Sequence, residues 1–401
     1  MLRRCFLFVV LLLSGAALRA ADAPLILISM DAWRWDYLAR YPAETPNLQA
    51  LAREGVTASG LIPMFPSNTF PNHYSIVTGL TPANHGIINN IFFDSEFGEY
   101  FRYNIGAASH QSKWWRGEPI WVTARKQGQI AAVSFWPGSE TEIGGVRPNF
   151  WKPYDNKLAF EKRFEEIAAW LRLPPAERPK LIVFYMEEAN GSGHKNGPVS
   201  PELAATVKML DERIGKLTTL LRSENIAANL VFVSDHGMTP ISTERVLLLD
   251  GYIKPEDVHL DFDGPVVGLR PKNGDAAALM RALAELPHAR AYRTEDLPPR
   301  WRVQANARTP AVWIVPEEGW EIYFRATFEG FRPPLNKGDH GYDPAFTSMH
   351  GLFLASGPAF KRGIEIPAVE NIHIYNLLCA ALGLQPAAND GDDRLVRAVM
   401  R

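Results

Sequence analysis

The chain of 401 residues is 46% hydrophobic and 21% charged, which is enough to bury a large core and excludes an intrinsically disordered or collagen-like polymer. Lys+Arg 42 against Asp+Glu 44 gives a net charge of −2, so no basic face for polymeric nucleic acid is advertised. Two cysteines, Cys5 and Cys379, exclude a disulfide-dense scaffold.

Residues 1–20 read as a signal peptide. Arg3 and Arg4 precede an apolar run from Cys5 to Leu13, and small residues around Ala17 and Ala20 follow. The run is too short for a membrane span, so no stable span is expected after processing, and a periplasmic or secreted location follows. Only Cys379 would survive cleavage, leaving the core or a metal to hold the mature chain together.

Four short apolar runs then punctuate the chain: Leu25 to Met30, Ile130 to Phe135, Leu181 to Met186 and Leu230 to Ser234. Each suits a strand buried on both faces. Leu203, Val207, Leu210, Ile214, Leu217 and Leu221 recur at three- or four-residue spacing and mark one helix face. Strands alternating with helices predict an α/β fold, a mostly parallel sheet with helices on both faces. Residues 241–330 read differently. A strand-like stretch from Val258 to Leu269, a helix-like stretch from Asp275 to Leu286 and Pro- and Trp-containing segments suggest a small α+β insertion. It would interrupt a catalytic domain made of residues 21–240 and 331–401.

Parallel sheets bind ligands beyond the carboxyl ends of their strands. The polar residues there are Asp31, then Glu187, Glu188 and Asn190, then Asp235 and His236. With PSNTFPNHY (66–74), EEANGSGHKNGP (187–198) and GDHGYD (338–343), they would gather imidazoles, carboxylates and a hydroxyl at one edge. Zinc takes histidine nitrogen and carboxylate oxygen, and a pair of zinc ions about 4 Å apart suits in-line phosphoryl displacement. Thr69 opens a helix-like segment, where amides and the helix dipole favour a phosphate.

FPSNTFPNHY, HGIINN, FWPG, GHKNGP, SDHGM and DHGYD, in that order from the region of Asp31 to Asp343, resemble the nucleotide pyrophosphatase/phosphodiesterase family of the alkaline phosphatase superfamily. The resemblance implies an alkaline phosphatase-like fold, two Zn2+ and a nucleotide or other small phosphodiester as substrate. Asp31, Thr69, Asp235 and His236 would hold one ion, with Thr69 the nucleophile that becomes transiently phosphorylated. His194 and His340 would hold the other with an aspartate four residues before His194, where this sequence has Asn190. A neutral amide is a poorer zinc donor than a carboxylate, so the second site is expected to bind more weakly, with Glu187 or Glu188 as the nearest compensating carboxylates. Asn90 matches a position that hydrogen-bonds a phosphate oxygen. Phe70 and Tyr185 match aromatic positions that sandwich a nucleobase. His350 stays outside the ligand set.

Phe70 also stands where phosphomonoesterases of this superfamily keep an arginine, which favours a diester. A sulfatase is excluded because no C/S-x-P-x-R signature surrounds Thr69. A phosphonate or choline-phosphodiester hydrolase, or a degenerate ligand-binding chain marked by Asn190, are the alternatives.

Overall fold

The computed structural model describes residues 23–331 and 336–401, so the leader-like residues 1–20 lie outside the described residues. Eight strands form the main sheet: β1 Leu25–Met30, β2 Val56–Ala58, β3 Ala131–Ser134, β4 Phe150–Lys152, β5 Leu181–Met186, β6 Asn229–Val233, β7 Phe353–Ser356 and β8 Ile364–Ile366. Their order is β8-β2-β7-β6-β1-β5-β3-β4. The run β6-β1-β5-β3-β4 is parallel throughout, and β7 alone opposes its neighbours. This is the mostly parallel α/β sheet that the apolar runs predict.

The central strands have no polar face because both faces are covered. Leu25 and Leu27 enter one core with Leu181, Val183, Val231 and Val233, while Ile26, Ile28 and Met30 enter a second with Ile182, Phe184, Leu230 and Phe232. Helices α1 Pro46–Glu54, α4 Phe160–Arg172 and α6 Pro201–Ser223 carry residues into the second core. Helices α2 Thr69–Thr78, α3 Ile120–Lys126 and α7 Ile374–Leu382 carry residues into the first. The predicted face of α6 is buried at Leu203, Val207, Leu210, Ile214, Leu217 and Leu221. Ser200 caps its start, its side chain accepting from Leu203 N. Helix α5, Glu188–Asn196, follows β5 directly.

The region after residue 241 holds an antiparallel four-stranded sheet made of Val258–Phe262, Val267–Pro271, Val312–Pro316 and Ala289–Arg293, in that order. The single strand-like stretch Val258 to Leu269 is instead a hairpin. Asp263, Gly264 and Pro265 turn the chain, with Gly264 at φ +98°, a conformation that a side chain strains. The helix read from Asp275 to Leu286 is shorter, Ala276–Ala282, and Asp275 caps it by accepting from Ala278 N. Thr239–Pro240 and Gly338–Asp339 pair antiparallel, so the chain leaves and returns at one place.

Candidate active site and metal groups

Register builds the site's centre. Ser29 pairs with Val233, so Asp31 and Asp235 both lie two residues beyond that pair on adjacent strands. Asp31 N donates to Met186 O at 2.9 Å, and Ala32 N donates to Asp235 Oδ1 at 3.2 Å. His236 Nε2 lies 3.0 Å from Asp235 Oδ2 and 3.5 Å from Asp31 Oδ1. Thr69, the first residue of α2, places Oγ1 3.3 Å from the same Nε2. Residues from three separate stretches of sequence thus meet at one edge of the sheet.

A second group lies beside the first. His194, Asp339 and His340 bring one ligand atom each within 4.8 Å of one another, as do Asp31, Asp235 and His236. His236 and His340 stack with ring centroids 3.6 Å apart and join the two groups. Asn190 lies one turn before His194 on α5 and lines the same cleft as His194, Asp339 and His340. The sequence reading of GDHGYD singles out its histidine, and the structure brings Asp339 into the same group.

Each of the three imidazoles turns Nδ1 to a backbone carbonyl: His236 to Gly237 O at 2.8 Å, His194 to Gly338 O at 2.9 Å and His340 to Ser67 O at 3.0 Å. A carbonyl only accepts, so Nδ1 carries a proton in each ring and Nε2 is the nitrogen left for a metal. That is the orientation a metal-binding histidine needs. Asp31 Oδ1, Asp235 Oδ2 and Asn190 Oδ1 are buried without a hydrogen-bond partner. Leaving a buried acceptor unsatisfied costs about 1–3 kcal/mol, more when it is charged. The donor set and the orphaned oxygens fit divalent cations, and zinc in particular.

Burial first, then repulsion from Asp235, pushes Asp31 up to about 7. Burial works against ionisation of Asp235 too, but His236 and His73 hold it well below the usual carboxylate range. His236 is pushed up to about 9 because the Asp235 and Asp31 carboxylates outweigh its burial. Burial, then His236 and His194, hold His340 well below its ordinary value.

Asn90 Oδ1 accepts from Phe70 N at 2.9 Å, which fixes the asparagine against the first turn of α2. Phe70 is half-buried among Phe101, Tyr103 and Trp115, with centroids 5.9, 5.6 and 6.2 Å away. Tyr185 departs from expectation. It is 8% exposed and its hydroxyl donates to Asp31 Oδ2 at 2.6 Å, so its ring supports a carboxylate rather than offering a face to a base. The exposed ring above it is Tyr154, 46% exposed, with centroids 6.4 Å apart. His73, also missed, lies one turn after Thr69, 3.2 Å from Asp235 Oδ2, and its i+4 spacing was the available signal. Glu187 and Glu188 do not reach the second group, being paired with Arg163 and Arg213. His350 is turned to Pro344 O and joins neither group.

The profile of the type I phosphodiesterase / nucleotide pyrophosphatase family matches residues 25–343. A venom phosphodiesterase of Crotalus durissus collilineatus is 38% identical over 382 residues, covering 92% of this chain and 45% of that one. Ectonucleotide pyrophosphatase/phosphodiesterase family member 3 of Rattus norvegicus is 37% identical over 383 residues, covering 92% and 43%. The chain therefore spans less than half the length of these curated relatives. Murine ectonucleotide pyrophosphatase/phosphodiesterase 5 superposes with a TM-score of 0.89 at 32% identity, covering 94% of this chain and 100% of that one. An inactive threonine-to-alanine variant of that murine protein, in complex with AMP, superposes at 0.88 with the same identity and coverage. The chain belongs to the type I phosphodiesterase / nucleotide pyrophosphatase family.

Proposed function

We propose that this chain is a di-zinc phosphodiesterase and nucleotide pyrophosphatase that works through a phosphothreonine on Thr69. One observation carries the reading: Thr69 Oγ1 stands at the start of α2, 3.3 Å from His236 Nε2, beside two groups of metal-ligating side chains. The inactive threonine variant of the murine relative supports it.

Asp31, Thr69, Asp235 and His236 would hold one zinc, and His194, His340 and Asn190 a second. Bound zinc would supply Lewis-acid polarisation of phosphoryl oxygens and a lowered pKa for a neighbouring hydroxyl. Thr69 Oγ1 attacks phosphorus in line, forming the threonine–phosphorus bond as the bond to the leaving oxygen breaks. Water then cleaves that ester and restores the hydroxyl, with release of the phosphomonoester. Because Oδ1 of Asn90 is engaged by Phe70 N, its amide NH2 is the end offered to a phosphate oxygen. Tyr185 and His73 act on Asp31 and Asp235, and keep the carboxylates aimed.

The substrate is a nucleotide or another small phosphodiester. Phe70 offers an apolar surface beside the nucleophile, and Tyr154 takes the stacking role expected of Tyr185. The location proposed is periplasmic or secreted. Among the described residues no helix is long and apolar enough to cross a membrane. The deciding experiment is turnover of a nitrophenyl nucleotide diester by zinc-loaded protein, with capture of the nucleotidyl ester of Thr69 by acid quench and peptide mass analysis. Diester turnover with no nucleotide ester on Thr69 would reject the covalent route, and absence of turnover would reject the enzyme.

A further inference from the structure

We propose that Arg102 is the residue of this site that determines leaving-group specificity: its guanidinium takes the phosphate that follows the scissile bond in a nucleotide phosphoanhydride. The inference rests on the nucleotide-hydrolase reading above and assigns it a residue of this chain.

Arg102 ends a hairpin made of Ile91–Asp94 and Glu99–Arg102. Ile91 pairs with Arg102 and directly follows Asn90, so the arginine lies cross-strand from the neighbour of the amide offered to a phosphate oxygen. Side chains alternate across a strand. Phe92 and Phe101, opposite one another, enter the first core, which turns Ile91, Tyr100 and Arg102 to the other face. All three line the cleft that also holds Asn90, His194 and His340.

The guanidinium is held there without being neutralised. It lies over the Tyr100 ring, 4.7 Å from the centroid, and the Tyr100 hydroxyl donates to Leu260 O at 3.2 Å. Among the described residues it makes no hydrogen bond and no ion pair. An arginine stacked on a ring keeps its in-plane N–H donors free, and a phosphate accepts two of them at once. Arg102 is half-buried and is the one lysine or arginine among the described residues lining the cleft. Of the carboxylates that the insertion brings to the cleft, Asp261 is paired with Arg270 at 2.9 Å, and Asp263 stands in the turn before Gly264, which backs onto Glu321 and Tyr323.

The cleft lies on the side a leaving group needs. The surface proposed for the retained nucleoside is Phe70 with Tyr154, and neither ring lines this cleft. Its volume of about 660 Å³ suits a small organic ligand rather than a lone phosphate. In ATP, attack by Thr69 Oγ1 on the α-phosphorus breaks the bond to the bridging oxygen, and the electron pair of that bond stays on the departing pyrophosphate. The threonine proton leaves to solvent. The water that then cleaves the nucleotidyl ester gives its oxygen to phosphorus and a proton back to the threonine, so ATP and one water yield AMP and pyrophosphate. A guanidinium beside the departing phosphate meets its charge as it develops.

ATP and the nitrophenyl ester of AMP share a nucleotidyl group and differ in what leaves. The test measures kcat/KM for both on zinc-loaded wild type, Arg102→Ala, Arg102→Gln and Arg102→Lys, with released AMP quantified by chromatography. The wild type should cleave both. Arg102→Ala should lower the ratio of kcat/KM for ATP over the ester by about tenfold or more, mainly by raising KM for ATP. Arg102→Lys, which keeps the charge as a point cation, should restore the ratio to within about threefold of the wild type. Arg102→Gln keeps an uncharged stem and carries the same comparison where alanine does not fold. A ratio in the uncharged variants within about threefold of the wild type overturns the role of Arg102, whether both activities fall together or neither does. A lysine variant no better than alanine overturns it too, as does a wild type that cleaves the ester but not ATP. A wild type that cleaves neither substrate instead rejects the nucleotide-hydrolase reading itself.

Discussion

Tyr185 donates its hydroxyl hydrogen bond to Asp31 Oδ2 across 2.6 Å, from one strand to the end of its neighbour. Burial, followed by the charge of Asp31, raises the phenol well above its ordinary value, so it donates and does not ionise. Removing such a partner of a ligating carboxylate typically costs 10–100-fold in metal affinity. Tyr185→Phe should therefore weaken zinc at the first group by about that factor. The fold should be intact by circular dichroism. Chelator competition checks it, and unchanged affinity would reduce Tyr185 to a packing residue.

Thr69→Ala removes the proposed nucleophile while leaving Asp31, Asp235 and His236 in place. Loss of kcat should reach about 10³-fold or more, with zinc content changed far less. Steady-state kinetics beside metal analysis would measure both. Near wild-type diesterase activity in the variant rules Thr69 out.

Phe70 is surrounded by Phe101, Tyr103 and Trp115, so the position after Thr69 is apolar rather than cationic. A monoester dianion finds no charge partner there, whereas the second substituent of a diester gains apolar contact. The ratio of kcat/KM for a nitrophenyl nucleotide diester over nitrophenyl phosphate should exceed about tenfold. Phe70→Ala should lower that ratio mainly by raising KM for the diester. A monoester preference in the wild type contradicts the reading.

His85 lies under α2, its Nδ1 accepting from Ile87 N at 3.1 Å and its Nε2 facing Pro71 O at 3.1 Å. Burial pushes it down to about 3. Below its unfolded value near 6.5, the unfolded chain binds a proton that the native state refuses. Its contribution is complete above pH 6.5 and is lost as pH falls from there towards 3. At pH 4.5 the loss is on the order of 2–3 kcal/mol. Urea melts at pH 7 and 4.5 should show a shallower acid loss for His85→Gln than for the wild type. Equal pH slopes would show that His85 does not govern it.

The central strands were legible because a run such as LILISM, buried on both faces, needs no partner to be recognised. Asp31 and Asp235 were legible for the same reason, as polar residues immediately after such runs. Val258–Phe262 and Val267–Pro271 were merged because the turn at Gly264 interrupts hydrophobicity for only a few residues. Tyr185 was misassigned because a wholly apolar strand hides which alternate side chains face the cleft and which support it. Asp339 was not singled out because its position beside His194 depends on a pairing with Thr239–Pro240, about a hundred residues earlier, that no local pattern announces.

The convergence at the sheet edge has a further consequence for the chain as a polymer. Ala32 and Asp235 meet although they are 203 residues apart, and Cys379, the free cysteine among the described residues, is buried. An ion shared by Asp31 and His236 would close the same loop as a covalent bridge would, and one shared by His194 and His340 would close another. Linkage of this kind restricts the unfolded ensemble and stabilises the native state in proportion to the logarithm of metal excess over its dissociation constant. Metal ions would then serve this cysteine-poor chain as reversible cross-links, with chelation loosening the fold as well as stopping turnover.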